Sequence, residues 1–212
     1  MKYLSLLLSP TWLLADVLKP EDRCKRTQII KLLNSMYLSI SLVSVISLVL
    51  YQFVWLRADI VKLSEDMYFV CILAWLWFAM SRCNEIFIAF LFDAIDKSNA
   101  VIEDKSNLTS SDRMVLSLKS YLELIFNFSI IYLLLPQSCF KDSAPKSILE
   151  SIYFSGVTIT TLGYGDIRPV HWFPQLLSVY EVFCGFILLV VCFAIYTGRI
   201  KSQQSGALDQ PL

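Results

Sequence analysis

Histidine occurs once in this chain of 212 residues, at His171, and glycine only six times. With a single histidine, and with Cys24, Cys71, Cys83, Cys139, Cys184 and Cys192 lacking the spacing of metal ligands, the chain offers no structural metal site. No nucleophile, base and orienting group stand together, and no phosphate-binding glycine loop is present. Charge is scarce too: 17% of residues are Asp, Glu, Lys or Arg, where a soluble domain carries about 25%. Eighteen basic and eighteen acidic residues cancel, so no global basic surface points to nucleic acid or an anionic substrate. Apolar residues are abundant, with 56% hydrophobic and 14% aromatic against a usual apolar share of roughly 45–50%. These figures exclude a disordered chain, a secreted mini-protein and almost any water-soluble enzyme. They leave room for about four or five helices of membrane-spanning length.

The first such run, Leu32 to Leu56, carries no charge and as a helix would reach about 37 Å, enough to cross a bilayer with tilt. Its serines Ser35, Ser39, Ser41, Ser44 and Ser47 fall largely three or four positions apart. That spacing suits close helix packing, with a polar pathway as the alternative. The next run, Met67 to Ser81, would reach only about 22 Å and spans if Asp66 and Arg82 snorkel to the surface. It continues past Asn84 and Glu85, which predicts one long helix from about Asp66 to Glu103 whose second half leaves the membrane or lies along it. A polar break, Asp104 to Ser111, precedes a third helix, with Ser110 or Ser111 expected as N-cap and Pro136 as terminator. The last span, Trp172 to Gly198, contains one charge, Glu181.

Lys and Arg placement sets the expected orientation. With a cytoplasmic amino terminus, thirteen of the eighteen basic residues fall inside, and only Arg57, Lys62, Lys141, Lys146 and Arg168 fall outside. The segment Met1 to Leu18 has the basic start and apolar run of a signal peptide, but cleavage would leave Arg23, Lys25 and Arg26 at a new terminus that belongs inside. An amphipathic surface helix is the expected reading there.

Between the third and fourth spans, Ser147 to Thr160 forms a short apolar helix candidate, followed by Thr161-Leu162-Gly163-Tyr164-Gly165-Asp166. An ion entering a membrane must exchange its water shell for oxygen ligands of similar strength. Successive backbone carbonyls supply these only if they point the same way, which needs alternating unusual dihedrals of the kind that Gly163 and Gly165 tolerate. Non-helical backbone at this depth survives only when it is buried in protein or lines a wet cavity. One strand cannot enclose an ion; four can, and the chain holds a single copy.

From Tyr121 to Arg199, this arrangement resembles the potassium channel family: outer helix, re-entrant pore helix, filter and inner helix. The resemblance implies potassium sites at Thr161, Leu162, Gly163 and Tyr164, with Gly165 completing the filter and the Thr161 hydroxyl at its cytoplasmic end. Many family members carry Val at the position of Leu162; since that side chain faces away from the ions, selectivity is expected to persist. Tyr164 is expected to turn towards the pore-helix aromatics Tyr153 and Phe154. Asp166 has two readings, a bond from the Tyr153 hydroxyl or a solvated acid that concentrates cations. Gly185 matches the family's inner-helix hinge glycine, although a packing role is as good a reading.

The fold expected is an all-α membrane protein: four transmembrane helices plus a re-entrant pore helix and filter loop, assembled as a homotetramer. Residues 1–31 form a cytoplasmic or interfacial segment, 32–104 a two-helix hairpin with a cytoplasmic extension, 105–199 the pore domain and 200–212 a cytoplasmic tail. The function expected is passive, potassium-selective conduction in the plasma (inner) membrane. No enzyme activity, no cofactor and no nucleic-acid partner are expected; lipid and K+ are. Alternatives are a weakly selective cation channel and a non-conducting auxiliary or transporter subunit. Neither hairpin span holds the arginine ladder of a voltage sensor, and the short stretch after Arg199 suggests no cytosolic ligand-binding domain. Glu181, Gly185 and His171 are the gating candidates: an intramembrane acid, a hinge, and a possible sensor of external acid. Arg82 and Glu123, near the cytoplasmic ends of adjacent spans, are predicted to pair. The cysteines read as small buried residues, with Cys139, on the extracellular side, open to crosslinking subunits.

Overall fold

The computed structural model describes residues 10–11, 17–18, 20–55, 65–98, 106–141, 143–191 and 197. The expected surface helix at Met1 to Leu18 and the tail 200–212 therefore lie almost wholly outside the described residues. In chain order the elements are α1 (Arg23–Trp55), α2 (Glu65–Ser98), α3 (Ser110–Leu134), a 3₁₀ turn (Gln137–Cys139), α4 (Ile148–Ile159) and α5 (Trp172–Phe186). A π-helical turn, Ile187–Val191, continues α5. Four helices are long and apolar enough to cross a membrane, over Arg23–Gln52, Val70–Asp96, Ser110–Leu134 and Trp172–Leu189. No β-strand occurs among the described residues.

Local chemistry explains the helix ends. α1 starts earlier than its apolar run because Asp22 caps it: the carboxylate accepts from the Cys24 backbone N–H at 2.8 Å. α2 is one continuous helix, as its sequence predicts. Its 34 residues make about 51 Å, well beyond a hydrocarbon core of about 30 Å. The cap of α3 differs from the expected Ser110 or Ser111. Thr109 takes the role, its hydroxyl accepting from the Asp112 N–H at 3.1 Å while Asp112 accepts from the Thr109 N–H at 3.2 Å. A capping box needs an acid three residues after the cap, and only Thr109 has that relation to Asp112. α3 ends at Leu134 because Pro136 forces Leu135 into extended backbone. The last span is not the uninterrupted α-helix expected to Gly198: regular α-helix stops at Phe186 and widens into the π turn.

α3 is the hub of the bundle. A helix apolar on most sides must be surrounded, and Leu124, Phe128, Ile130, Ile131 and Tyr132 are all buried. The main core joins Leu124, Phe128, Ile131 and Tyr132 to Ala79, Cys83 and Ile86 of α2, Phe154 and Ile159 of α4, and Leu177 and Cys184 of α5. α1 lies outermost, burying Val45 against Ile130 and Ile148 while Leu32, Val43, Ile46 and Leu50 remain exposed.

A polar seam fastens the first two helices to the third. Arg82 grips Glu123 with two parallel bonds, Nε to Oε1 at 2.9 Å and Nη2 to Oε2 at 3.1 Å, as predicted. Arg82 also pairs with Glu85, and its guanidinium lies 3.6 Å over the Tyr37 ring of α1. Further along, Ser41 donates to Asn127 at 2.9 Å, Asn34 to Ser120 at 2.7 Å and Lys119 to Ser35 at 3.0 Å. Ser39 and Ser47 bond back to their own helix. Ser35 and Ser41 of α1 thus act in packing, whereas Ser39 and Ser47 are exposed. Small hydroxyls let helices approach closely and still satisfy one another.

Candidate ion-conduction site

α4 is short because its two ends are set by polar groups. Ser147 caps the start, accepting from the Glu150 N–H at 3.1 Å. At the other end Thr160 closes onto the Gly156 carbonyl through both its N–H at 3.2 Å and its hydroxyl at 2.6 Å. The chain then leaves the helix in a strand whose φ is positive at every second residue: Thr161 at 61°, Gly163 at 53° and Gly165 at 77°. Alternation of this kind turns successive peptide carbonyls towards one side, whereas a β-strand would turn them to opposite sides. The two glycines were legible in the sequence. Thr161 was not: a β-branched residue in this region is a genuine outlier, worth about 1–3 kcal/mol of strain. The strand is anchored from behind by Gly163 N–H to the Val157 carbonyl at 3.1 Å and Thr161 N–H to the Thr158 carbonyl at 2.9 Å.

Tyr164 turns to Tyr153 as expected, the rings parallel within 2° and their centroids 6.3 Å apart. Phe154 does not join them. Adjacent residues on a helix point about 100° apart, and Phe154 instead meets Tyr132 at 4.8 Å and Phe140 at 5.9 Å in the core. The neighbouring Tyr153 hydroxyl holds the Asp166 carboxyl below the usual carboxylate range. Asp166 is exposed, so its reading as a solvated acid stands beside the Tyr153 contact. In a single chain the filter strip is bare, with Leu162 60% and Tyr164 68% exposed.

The loop before α4 is strapped to the loop after the filter. Phe140 bridges to Pro169, and the Cys139 carbonyl accepts from Val170 N–H at 2.9 Å and His171 N–H at 3.2 Å. The Arg168 N–H donates to the Ser143 hydroxyl at 3.1 Å. Cys139 is a free thiol within the chain. His171 caps α5, its Nδ1 accepting from the Phe173 N–H at 3.3 Å. The sequence reading of His171 as a sensor did not include this role.

Glu181 and Gly185 stand behind the filter on α5. Glu181 is fully buried, with Tyr132 donating to Oε2 at 2.8 Å and the Ser155 hydroxyl bonded to Oε1. At Gly185 an added Cβ would stand 2.7 Å from Ile159 Cγ1 and 3.1 Å from the Ile159 carbonyl oxygen. That contact favours close packing over a hinge: glycine here lets α5 touch the last turn of the pore helix. Tyr180 adds a bond to Asn84 of α2 at 2.7 Å, so the hairpin reaches the inner helix as well as α3. Nothing in the residue order singles out Tyr132, Ser155 or Asn84, since hydroxyls and amides are common in these spans. Among the described residues no group of His, Cys, Asp and Glu could hold a metal ion.

Two helices of membrane-spanning length thus flank a short apolar helix and a strand of alternating positive φ. Residues 120–202 match the family model described as Ion channel. Protein LctB of Bacillus caldotenax is 29% identical over 118 residues, 50% of this chain and 86% of that protein. The inward rectifier potassium channel Kirbac3.1 of Paramagnetospirillum magnetotacticum is 28% identical over 106 residues, 48% of this chain and 35% of the channel. The two-pore potassium channel 1 of Arabidopsis thaliana is 27% identical over 104 residues, 46% of this chain and 29% of that protein. The chain thus spans about a third of the length of these two named channels. No solved structure gives a significant match. The chain is an integral membrane protein, and its residues 120–202 are similar to the ion channel family.

Proposed function

We propose that this chain conducts potassium selectively and passively as a homotetramer, with its amino and carboxyl ends on the cytoplasmic side of the plasma (inner) membrane. The observation that carries this reading is the alternation of positive φ at Thr161, Gly163 and Gly165 in a strip that one chain leaves bare. Backbone at membrane depth must be covered by protein or line a wet cavity. Four copies around an axis meet both demands, with the carbonyls of Thr161, Leu162, Gly163 and Tyr164 as the potassium sites and Gly165 closing the outer end. The excess of Lys and Arg on one side of the spans supports the orientation.

The hairpin of α1 and α2 is a static clasp in this reading. The charge within it, Arg82, is locked between Glu85 and Glu123 and cannot carry gating charge through the field. The deciding experiment is flux and bilayer recording from reconstituted protein in potassium, rubidium, sodium and barium. Selective conduction predicts a reversal potential that follows potassium, with barium block. A reversal potential indifferent to sodium substitution identifies a weakly selective channel, and absence of flux a non-conducting subunit; either result overturns the proposal.

A further inference from the structure

Three acids are buried among the described residues: Glu85, Glu123 and Glu181. The first two share Arg82. Glu181 has only hydroxyls. Tyr132 donates to Oε2 at 2.8 Å, and Ser155 bonds Oε1 while lying 3.1 Å from the Ile125 carbonyl. Ser178 stands 3.3 Å from the Tyr132 oxygen, but its own hydrogen is committed to the Pro174 carbonyl at 3.0 Å. Ser178 therefore has no hydrogen left for the carboxyl group.

Counting hydrogens separates the two charge states. An ionised carboxylate has about four acceptor sites and here meets two donors. Without a cation beside it, a buried carboxylate bears a desolvation penalty that two neutral hydroxyls do not offset. The Ser155 hydroxyl, with one hydrogen, would also have to choose between the carboxylate and the Ile125 carbonyl. Adding one proton resolves both problems. Glu181 then donates from Oε1 to Ser155, Ser155 donates to the Ile125 carbonyl, and Tyr132 donates to Oε2.

We infer that Glu181 is a neutral carboxylic acid in the folded channel, and that its proton is a fixed link joining the inner helix to the pore helix and, through Ser155 and Tyr132, to the outer helix. Glu181 is a positioning residue: its bonds go to Tyr132 and Ser155, and it holds Ser155, six positions before Thr161, on the helix that carries the strand. Gly185 seats the same two helices together one turn further on, against Ile159. Neutrality also spares the pore a ring of four negative charges behind the filter. That last consequence rests on the tetrameric channel reading; the proton itself does not.

The test is the infrared spectrum of the purified full-length protein, wild type minus Glu181→Gln. The expected result is loss of one protonated-carboxyl C=O stretch that shifts on exchange into D2O. Loss of carboxylate stretches instead would overturn the inference. Glutamine reproduces the bonding pattern, its amide donating to Ser155 and its carbonyl accepting from Tyr132, so Glu181→Gln should assemble normally. Failure of that variant to assemble counts against the proposal. In flux assays Glu181→Gln should keep the wild-type rate and selectivity within about twofold, whereas Glu181→Leu, which breaks every bond of the link, should lose about tenfold or more. A Glu181→Gln channel with altered potassium affinity would show that a charge had been removed, and would also overturn it. If wild type does not conduct at all, the channel reading fails while the infrared result still decides the proton.

Discussion

Glu123 on α3 and Glu181 on α5 are both fully buried, yet their surroundings differ. Glu123 faces a guanidinium that is stacked on an aromatic ring and shared with a second acid. Glu181 faces two hydroxyls and no cation. The same desolvation problem is met by a counter-charge where the hairpin joins the pore, and by a proton where the pore helix joins the inner helix. The difference suits the two places. The ion pair joins α2 of the hairpin to α3, whereas Glu181 is bonded to the helix that leads into the filter strand.

Removing a partner tests that contrast most severely at the hairpin. Arg82→Leu leaves two buried acids without a cation and should destabilise the folded protein by about 3–5 kcal/mol, read as a lowered midpoint of unfolding in detergent. Recovery of most of that loss in an Arg82→Leu variant that also carries Glu85→Leu and Glu123→Leu would show that the penalty lies in the orphaned charges. The amide exchange comes next. Glu123→Gln should cost about 1.5–3 kcal/mol, the range for hydrogen bonds to charged groups, whereas Glu181→Gln should be close to silent in the same assay. Equal effects at the two positions would erase the distinction.

Gly185→Ala probes the packing beside Glu181 without touching a charge. Its Cβ would enter the space held by Ile159, and overpacking of this kind costs about 1–3 kcal/mol, measurable as reduced thermal stability and reduced potassium flux. The smallest effect is expected at Asp166, an exposed acid that stays ionised with a hydroxyl donor. Tyr153 depresses its carboxyl, and a depressed carboxyl contributes stability that is present above the ordinary value and lost as pH falls through the folded one. Acidifying the outer solution below the usual carboxylate range should therefore weaken the outer end of the filter, seen as a falling open probability. Tyr153→Phe should shift that response towards higher pH.

Rare residues were the legible ones. Arg82 and Glu123 stood out because charge within a span is expensive and demands a partner, and their pairing followed from adjacent spans. Gly163 and Gly165 stood out because glycine is scarce here and the strand requires it. The expected helix order, the long α2 and the stacking of Tyr164 on Tyr153 were read from apolar runs and from the filter motif. Common residues hid their roles. Nothing marks Ser155 or Tyr132 among so many hydroxyls, because their partner lies 26 or 49 positions away. Thr161 gives no sign of left-handed backbone, since only the anchoring to Val157 and Thr158 imposes it. The cap at Thr109 turned on one residue of register, and the widened turn after Phe186 has no signature in an unbroken apolar run.

The strap between Cys139 and the Pro169–His171 segment closes a mechanical circuit. The filter hangs between two supports, the pore helix at one end and this strap at the other, and the strap belongs to the top of α3. A tilt of α3 would therefore be felt at the outer end of the filter, beside the residue that caps α5.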